Sequence, residues 1–279
     1  SIDENNNLLE FNLINGHSYN ELNILDQKNN EHRKLKFEQN KLIIDLSSFN
    51  FMKNTESLYK GHYAMLNNNE ILKIANTRVE AEYLGNGPPL IFLHGEDGFE
   101  INSSLVSRLA HKFHIIAPRL PGFGKTQLQD NIRNIDDVSY IWLDLLDRLD
   151  VKDAVVLGFS VGGWLALEMA TKNTSRMACM VLTGSVGVKF GGAYDRDIED
   201  IYFHEAKTVR SMRFVDAEKD PHYDLTGLSK GEALALARSR EAIAKICWKP
   251  YFHNPSLRQR LNRVNIPAQV IWGGKDRMT

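Results

Sequence analysis

Ala154-Val155-Val156-Leu157-Gly158-Phe159-Ser160-Val161-Gly162-Gly163-Trp164-Leu165-Ala166-Leu167 decides the reading of this chain. The first four residues form an apolar run of buried-strand type, and the small-residue stretch Gly162 to Thr171 has the pattern of a helix. Ser160 stands between them in a G-x-S-x-G frame. A serine hydroxyl is a poor nucleophile until a base takes its proton, so a reactive serine must be held out in a tight turn. Gly158 and Gly162 suit such a turn, because a strained strand-to-helix bend leaves no room for larger side chains beside it. The Val161 backbone N–H then lies at a helix N-terminus, where developing negative charge is stabilised. A glycine-bounded turn in which Ser160 merely caps the helix gives the same five residues, so the frame alone leaves both readings open.

Working outward, strand and helix patterns alternate. Ile71 to Leu84 reads as two strands of a hairpin, Leu90 to Leu93 as a strand, Ser103 to Lys112 as a helix and Phe113 to Ala117 as a strand. Ile135, Val138, Ile141, Trp142, Leu145, Leu146 and Leu149 fall at helical spacing. Met177 to Leu182 and Ala268 to Trp272 supply two further strands. Such alternation predicts an α/β fold, a mostly parallel sheet with helices on both faces and its ligand at the carboxyl ends of the strands. Between the last two strands lies an insertion of about 186 to 264, with a helical pattern from Lys230 to Trp248, expected to form a lid over those strand ends. Within it Ala242 to Tyr251 is expected to pack on the core, with its aromatic residues as candidate pocket lining.

Before about residue 65 the composition differs. Asn is concentrated there, and Leu8 to Ile14, Leu35 to Phe37 and Leu42 to Leu46 read as short strands between turn signals. We place a boundary between 60 and 70, giving an Asn-rich, strand-rich segment 1–65 of unassigned role and a core 66–279. Lys plus Arg (34) nearly balance Asp plus Glu (35), so no net field draws the chain to nucleic acid. Cys179 and Cys247 form neither a disulfide framework nor a zinc pattern, which fits a reducing cytoplasm. No window is long and apolar enough for a membrane span, and no signal peptide is visible. Gly122-Phe123-Gly124-Lys125-Thr126 is no phosphate loop, since Arg119 stands where that motif needs glycine, and the glycines at 184, 187, 191 and 192 lack dinucleotide-site spacing. No cofactor or metal is implied. The expected partner is a small-molecule substrate, with a homodimer left open.

Three further motifs, in the same order, make residues 70 to 279 resemble the α/β-hydrolase family with a serine nucleophile. Pro88-Pro89-Leu90-Ile91-Phe92-Leu93-His94-Gly95-Glu96-Asp97-Gly98 is similar to the family's oxyanion loop, and the resemblance makes Glu96 the second backbone N–H donor beside Val161. Ala117-Pro118-Arg119-Leu120-Pro121-Gly122-Phe123-Gly124 is similar to the turn after the next strand, with Arg119 where the family usually has Asp. Ile266-Pro267-Ala268-Gln269-Val270-Ile271-Trp272-Gly273-Gly274-Lys275-Asp276 resembles the strand and loop delivering the triad acid, here Asp276. The implied activity is hydrolysis of a small or medium carboxylic ester through an acyl-enzyme. Cleavage of a carbon–carbon bond in a diketone-like compound is the nearest alternative within the fold. Serine at the elbow argues against epoxide hydrolase and haloalkane dehalogenase chemistry, which use a carboxylate there.

The family's base is a histidine in a loop beyond the acid, and this sequence shows none there. Its nine histidines all precede Asp276. Read together with the start at Ser1, the sequence looks like a fragment lacking its C-terminal end. A permuted chain, in which the Gly16-His17 pair after a strand takes the base's place, is a second explanation. A ligand-binding protein of this fold without turnover is the competing class. His94 is expected to brace its loop, and His204, His222 and His253 to be structural or substrate-facing.

Overall fold

The computed structural model describes residues 68–279, except 193, 221 and 223, and the backbone of four strand segments before them. Those segments are β1 (Leu8–Asn12), β2 (Glu21–Asp26), β3 (Glu31–Glu38) and β4 (Lys41–Asp45), paired antiparallel in the order β1-β4-β3-β2. His17 and much of the expected boundary between 60 and 70 lie outside the described residues.

A hairpin of β5 (Asn68–Ile74) and β6 (Thr77–Leu84) opens the main sheet, followed by β7 (Pro89–Leu93), α1 (Ser103–Leu109) and β8 (His114–Pro118). Then come α2 (Ile135–Arg148), β9 (Ala154–Phe159), α3 (Val161–Lys172) and β10 (Met177–Thr183). The chain next passes through α4 (Ala206–Arg213), α5 (Lys230–Ile246) and α6 (Leu257–Arg260) before returning as β11 (Ala268–Ile271). The seven strands stand in the order β11-β10-β9-β7-β8-β6-β5. β5–β6 and β6–β8 are antiparallel, and every other pair is parallel. The expected α/β architecture is therefore present.

Strand alternation builds one core on each face. Ile91, Leu93, Val156, Met180 and Leu182 join the layer that also takes Trp142, Leu145 and Leu146 of α2, most of α3, and Ile243 and Ile246 of α5. Leu90, Phe92, Ile115, Val155, Leu157 and Cys179 face the other way, onto Val106 and Leu109 of α1. Both faces are covered, so β7 and β8 are buried along their whole length, as strands of a two-sided parallel sheet must be. Each such Val, Leu or Ile contributes about 1.5–3 kcal/mol by leaving water.

Local chemistry sets the helix ends. Asn134 caps α2 by accepting from the Asp137 N–H at 2.8 Å, with Asp136 and Asp137 in the first turn and Arg148 in the last, as the helix dipole favours. α3 is buried on nearly every side, which its all-round apolar sequence requires. α5 starts in a reciprocal Ser229/Glu232 capping box and buries only Ala242, Ile243 and Ile246, toward its C-terminal end. The expected packing of the 242–251 stretch holds through Cys247, whereas Trp248 is about half exposed.

The order β9-β7-β8 means the chain leaves β7 toward one side of the sheet and later returns to its other side. Parallel sheets open a crevice at the carboxyl ends of the strands flanking such a reversal. Here those ends are His94 to Gly98 and Ser160.

Candidate active site

Ser160 occupies the capping position of α3, its carbonyl accepting from the N–H groups of Gly163 (3.0 Å) and Trp164 (3.1 Å). It is not an ordinary cap. A capping serine has extended backbone angles and bonds an N–H of the first turn through its hydroxyl. Ser160 has φ 48° and ψ −112°, and its side chain makes no capping bond. The Ser160 N–H instead donates to the Thr183 carbonyl at 3.0 Å, anchoring the bend to the end of β10. A left-handed φ on a residue with a Cβ costs about 1–3 kcal/mol and persists only where its surroundings enforce it.

The surroundings are the glycines. A Cβ on Gly158 would lie 2.6 Å from the Gly162 carbonyl oxygen, and one on Gly162 would lie 2.1 Å from the Leu93 oxygen. A Cβ on Gly163 would meet the Ser185 side chain, Oγ at 1.8 Å and Cβ at 2.7 Å, so a third glycine, not singled out in the sequence, is also crowded, though by a side chain rather than by backbone. The elbow is thus pressed against the end of β7, and Gly95 there has room for a Cβ only at 3.3 Å from Ser160 Cβ.

That close approach puts the loop 94–98 beside Ser160. The loop turns through a Gly98 N–H to Gly95 carbonyl bond of 3.2 Å. His94 is buried, and its Nε2 accepts from the Leu120 N–H at 3.0 Å. The ring proton is therefore on Nδ1, which donates to the Gly95 carbonyl at 2.7 Å. Burial is the main reason its pKa falls to about 4. With both nitrogens committed, His94 braces its own loop against the turn after β8 and has no lone pair left for a proton from Ser160.

Asp276 arrives on the far side. Its N–H donates to the Gly273 carbonyl at 3.0 Å, and its Oδ1 accepts from the Met278 N–H at 2.8 Å, which fixes the carboxylate. Oδ2 lies 3.9 Å from where a Cβ on Gly184 would stand. Gly184 follows Thr183, the residue that holds the Ser160 N–H, and its own N–H donates to Ile271 at 3.0 Å. The fold thus gathers Ser160, Val161, Glu96 and Asp276 at the carboxyl ends of β7, β9, β10 and β11.

The segment between β10 and β11 adds Arg213 and Tyr202, which no sequence motif marked, to Trp248 and Tyr251, the aromatic residues expected there from the sequence. Arg213 of α4 donates through both Nη atoms to the Asp97 carboxylate, and Nη2 lies 3.3 Å from Glu96 Oε1. The partners are 116 positions apart, and nothing local in the sequence connects them. Tyr202, Trp248 and Tyr251 form an edge-to-face aromatic group with centroids 5.9 to 6.4 Å apart. Burial raises the pKa of the Tyr202 hydroxyl, and it raises those of the Tyr251 hydroxyl and the Cys247 thiol strongly, so all three stay neutral near pH 7. Among the described residues no cluster of His, Cys, Asp or Glu is arranged to hold a metal ion, and no helix is long and apolar enough to cross a membrane.

The chain is similar to known proteins. The chain is 29% identical over 201 residues to the dihydrolipoyllysine-residue acetyltransferase component of the acetoin cleaving system of Pseudomonas putida, covering 68% of this chain and 52% of that protein. It is 32% identical over 124 residues to the 2-hydroxymuconate semialdehyde hydrolase of Pseudomonas sp. (strain CF600), covering 42% of this chain and 43% of that one. The chain spans about half the length of such curated relatives. Among solved structures, a bacterial membrane phospholipase A superposes with a TM-score of 0.57 at 18% identity, over 76% of this chain and 71% of that one, which shows a shared fold. The family model described as alpha/beta hydrolase fold matches residues 88–279, from β7 through β11, and the chain accordingly belongs to the α/β-hydrolase fold family.

Proposed function

We propose that the protein is a serine hydrolase that cleaves a small or medium carboxylic ester through an acyl-enzyme. The observation that carries this reading is the Ser160 backbone, held at φ 48° with a side chain that makes no capping bond. In the proposed reaction Ser160 Oγ attacks the ester carbonyl and gives its proton to a histidine oriented by Asp276. In the family's chain order that histidine follows the acid. The Val161 and Glu96 N–H groups hold the oxyanion, and the protonated histidine passes its proton to the departing alkoxide. Water then attacks the acyl-enzyme with the same histidine as base, releasing the acid and restoring Ser160. Residues 186–264 serve as the lid, with Tyr202, Trp248 and Tyr251 as candidate lining for the acyl or leaving group. The two cysteines are free and buried, which supports the cytoplasm as the compartment we propose.

A second reading, hydrolysis of a carbon–carbon bond in a diketone-like compound, is favoured by the likeness to the 2-hydroxymuconate semialdehyde hydrolase. Both use the same serine. Hydrolysis of p-nitrophenyl acetate and butyrate by the full-length protein and by Ser160→Ala tests the shared part. Loss of a factor of about 10³ or more in kcat on substitution is expected. Equal rates would sink the serine mechanism and leave a ligand-binding protein of this fold. A larger kcat/KM for 2-hydroxymuconate semialdehyde than for either ester would select the second reading.

A further inference from the structure

We propose that Arg213 of α4 is a positioning residue for the oxyanion loop, acting by balancing the charge of the adjacent Glu96 and Asp97 carboxylates. The inference rests on the serine-hydrolase reading, in which the Glu96 N–H receives the oxyanion.

Two carboxylates in succession at that place are an obstacle to the chemistry. Negative charge develops on the substrate oxygen as Ser160 attacks, and a fixed negative charge nearby raises the energy of that state more than the energy of the neutral ester. Both acids are largely withdrawn from water, with side chains 20% and 16% exposed. Screening by solvent is weak there. Glu96 Oε2 is fully buried without a hydrogen-bond partner, so nothing on that oxygen offsets its charge.

Arg213 is placed to do so. Its Nη1 donates to Asp97 Oδ1 at 3.2 Å, its Nη2 donates to Asp97 Oδ2, and Nη2 stands 3.3 Å from Glu96 Oε1. One planar guanidinium thus serves two successive side chains, which a lysine could do only as a point charge. Among the described residues, the other group in ion-pair range of Asp97 does not replace it. His222 Nδ1 lies 3.6 Å from Asp97 Oδ1, but burial, as the largest cause, lowers its pKa and favours its neutral form. Asp220, 3.9 Å from the same nitrogen, is held by Arg210 Nε at 3.1 Å and brings a further negative charge.

Arg213 also belongs to α4, whereas the loop belongs to the end of β7. The charge that balances the oxyanion loop is therefore contributed by the inserted segment, and the loop reaches its working electrostatics only when α4 is docked.

The test is a set of full-length variants assayed with p-nitrophenyl butyrate. Arg213→Gln is expected to lower kcat by about 10- to 100-fold with KM within about threefold, since the effect is on the charged transition state. Arg213→Lys, which keeps the charge and loses the fork, is expected to stay within about fivefold of wild type. Arg213→Gln combined with Asp97→Asn is expected to recover about tenfold of a hundredfold loss, because removing one of the two carboxylate charges returns the loop to its wild-type net charge while Glu96 stays unpaired. A purely mechanical tie between α4 and the loop predicts no such recovery, as the double variant still lacks the fork. Thermal melting of each variant identifies any that fail to fold, and the lysine variant then decides alone. A kcat for Arg213→Gln within threefold of wild type, or a double variant no faster than Arg213→Gln, would overturn the role while leaving the serine mechanism standing. Equal rates in wild type and Ser160→Ala would overturn the serine mechanism, and this role with it.

Discussion

Gly162→Ala is the substitution for which the structure makes its most specific demand. One methyl group is added to a helix residue, a change that is ordinarily favourable by up to about 1 kcal/mol. Here the new carbon would stand 2.1 Å from the Leu93 oxygen, 2.6 Å from the Leu93 carbon and 2.7 Å from the His94 oxygen. All three atoms are backbone at the end of β7, so no side-chain rotation relieves the overlap. The Ser160 turn and the 94–98 loop, the proposed oxyanion loop, must separate. Overpacking of this kind costs about 1–3 kcal/mol, and the rigid neighbours argue for the upper end, near 3 kcal/mol. Separation also moves the Val161 and Glu96 N–H groups relative to Ser160, and losing one aligned oxyanion donor costs about 10²–10³ in kcat. Urea unfolding at pH 7, followed by tryptophan fluorescence, measures the first effect, and ester turnover measures the second. Gly227→Ala is the matched control, since no atom lies within 4 Å of its Cβ position, and a change within about 0.5 kcal/mol is expected there. Should Gly162→Ala unfold at the same urea concentration as Gly227→Ala, the close approach of elbow to β7 would be refuted, and with it the inferred placement of the oxyanion donors.

Two further outcomes follow from buried polar groups. His94 has a folded pKa of about 4 against an ordinary value near 6.5, so between these pH values the unfolded chain binds a proton that the folded one refuses. Stability is then full above about pH 6.5 and falls by up to about 3 kcal/mol as pH drops toward 4. Urea midpoints at pH 7, 5.5 and 4.5 should show this slope in wild type and a clearly flatter one in His94→Asn; parallel slopes would contradict the assignment. Glu168 is buried with Oε1 accepting from Trp164 Nε1 (3.0 Å) and Asn254 Nδ2 (2.7 Å), and Oε2 from Lys172 Nζ (3.0 Å). Glu168→Ala strands the Trp164 and Asn254 donors, since Lys172 Nζ keeps Asp136 Oδ1 at 2.8 Å, and is expected to cost about 3–5 kcal/mol; Glu168→Gln, which keeps an acceptor for both, is expected to cost less than half of that. Equal unfolding midpoints for the two would show that these bonds do not hold the loop at 254 to α3.

The elements that carry short-range signals were legible in the sequence. Ser160 and its flanking glycines declare themselves because the steric demand falls on immediate neighbours. The runs at β7, β8 and β9 do so because a sheet covered on both faces needs unbroken apolar strands. Asp276 was singled out through the resemblance of Ile266 to Asp276 to the family's acid-bearing strand and loop, of which the strand Ala268–Ile271 is present. What escaped was long-range or weakly patterned. β2, at Glu21–Asp26, alternates polar and apolar residues too modestly to stand out. α4 fully buries no residue, and its apolar residues at helical spacing, Ala206, Val209 and Met212, are too few to announce a helix. The Arg213 fork and the Asn254 contact to Glu168 join residues 116 and 86 positions apart, and only tertiary packing brings them together. The helix expected over 103–112 ends at Leu109, since the Phe113 and Lys112 N–H groups turn back onto the Leu109 carbonyl and close the helix there.

The backbone at Ser160 has one more consequence. A left-handed φ is nearly free for glycine and expensive for serine. Under the proposed serine mechanism, folding and reactivity therefore make opposite demands on one codon. A library of the chain sorted only for yield or heat resistance should drift to glycine at 160, whereas one sorted for turnover should keep serine and gather its stabilising changes elsewhere. The position would act as a meter of which pressure a population has been under.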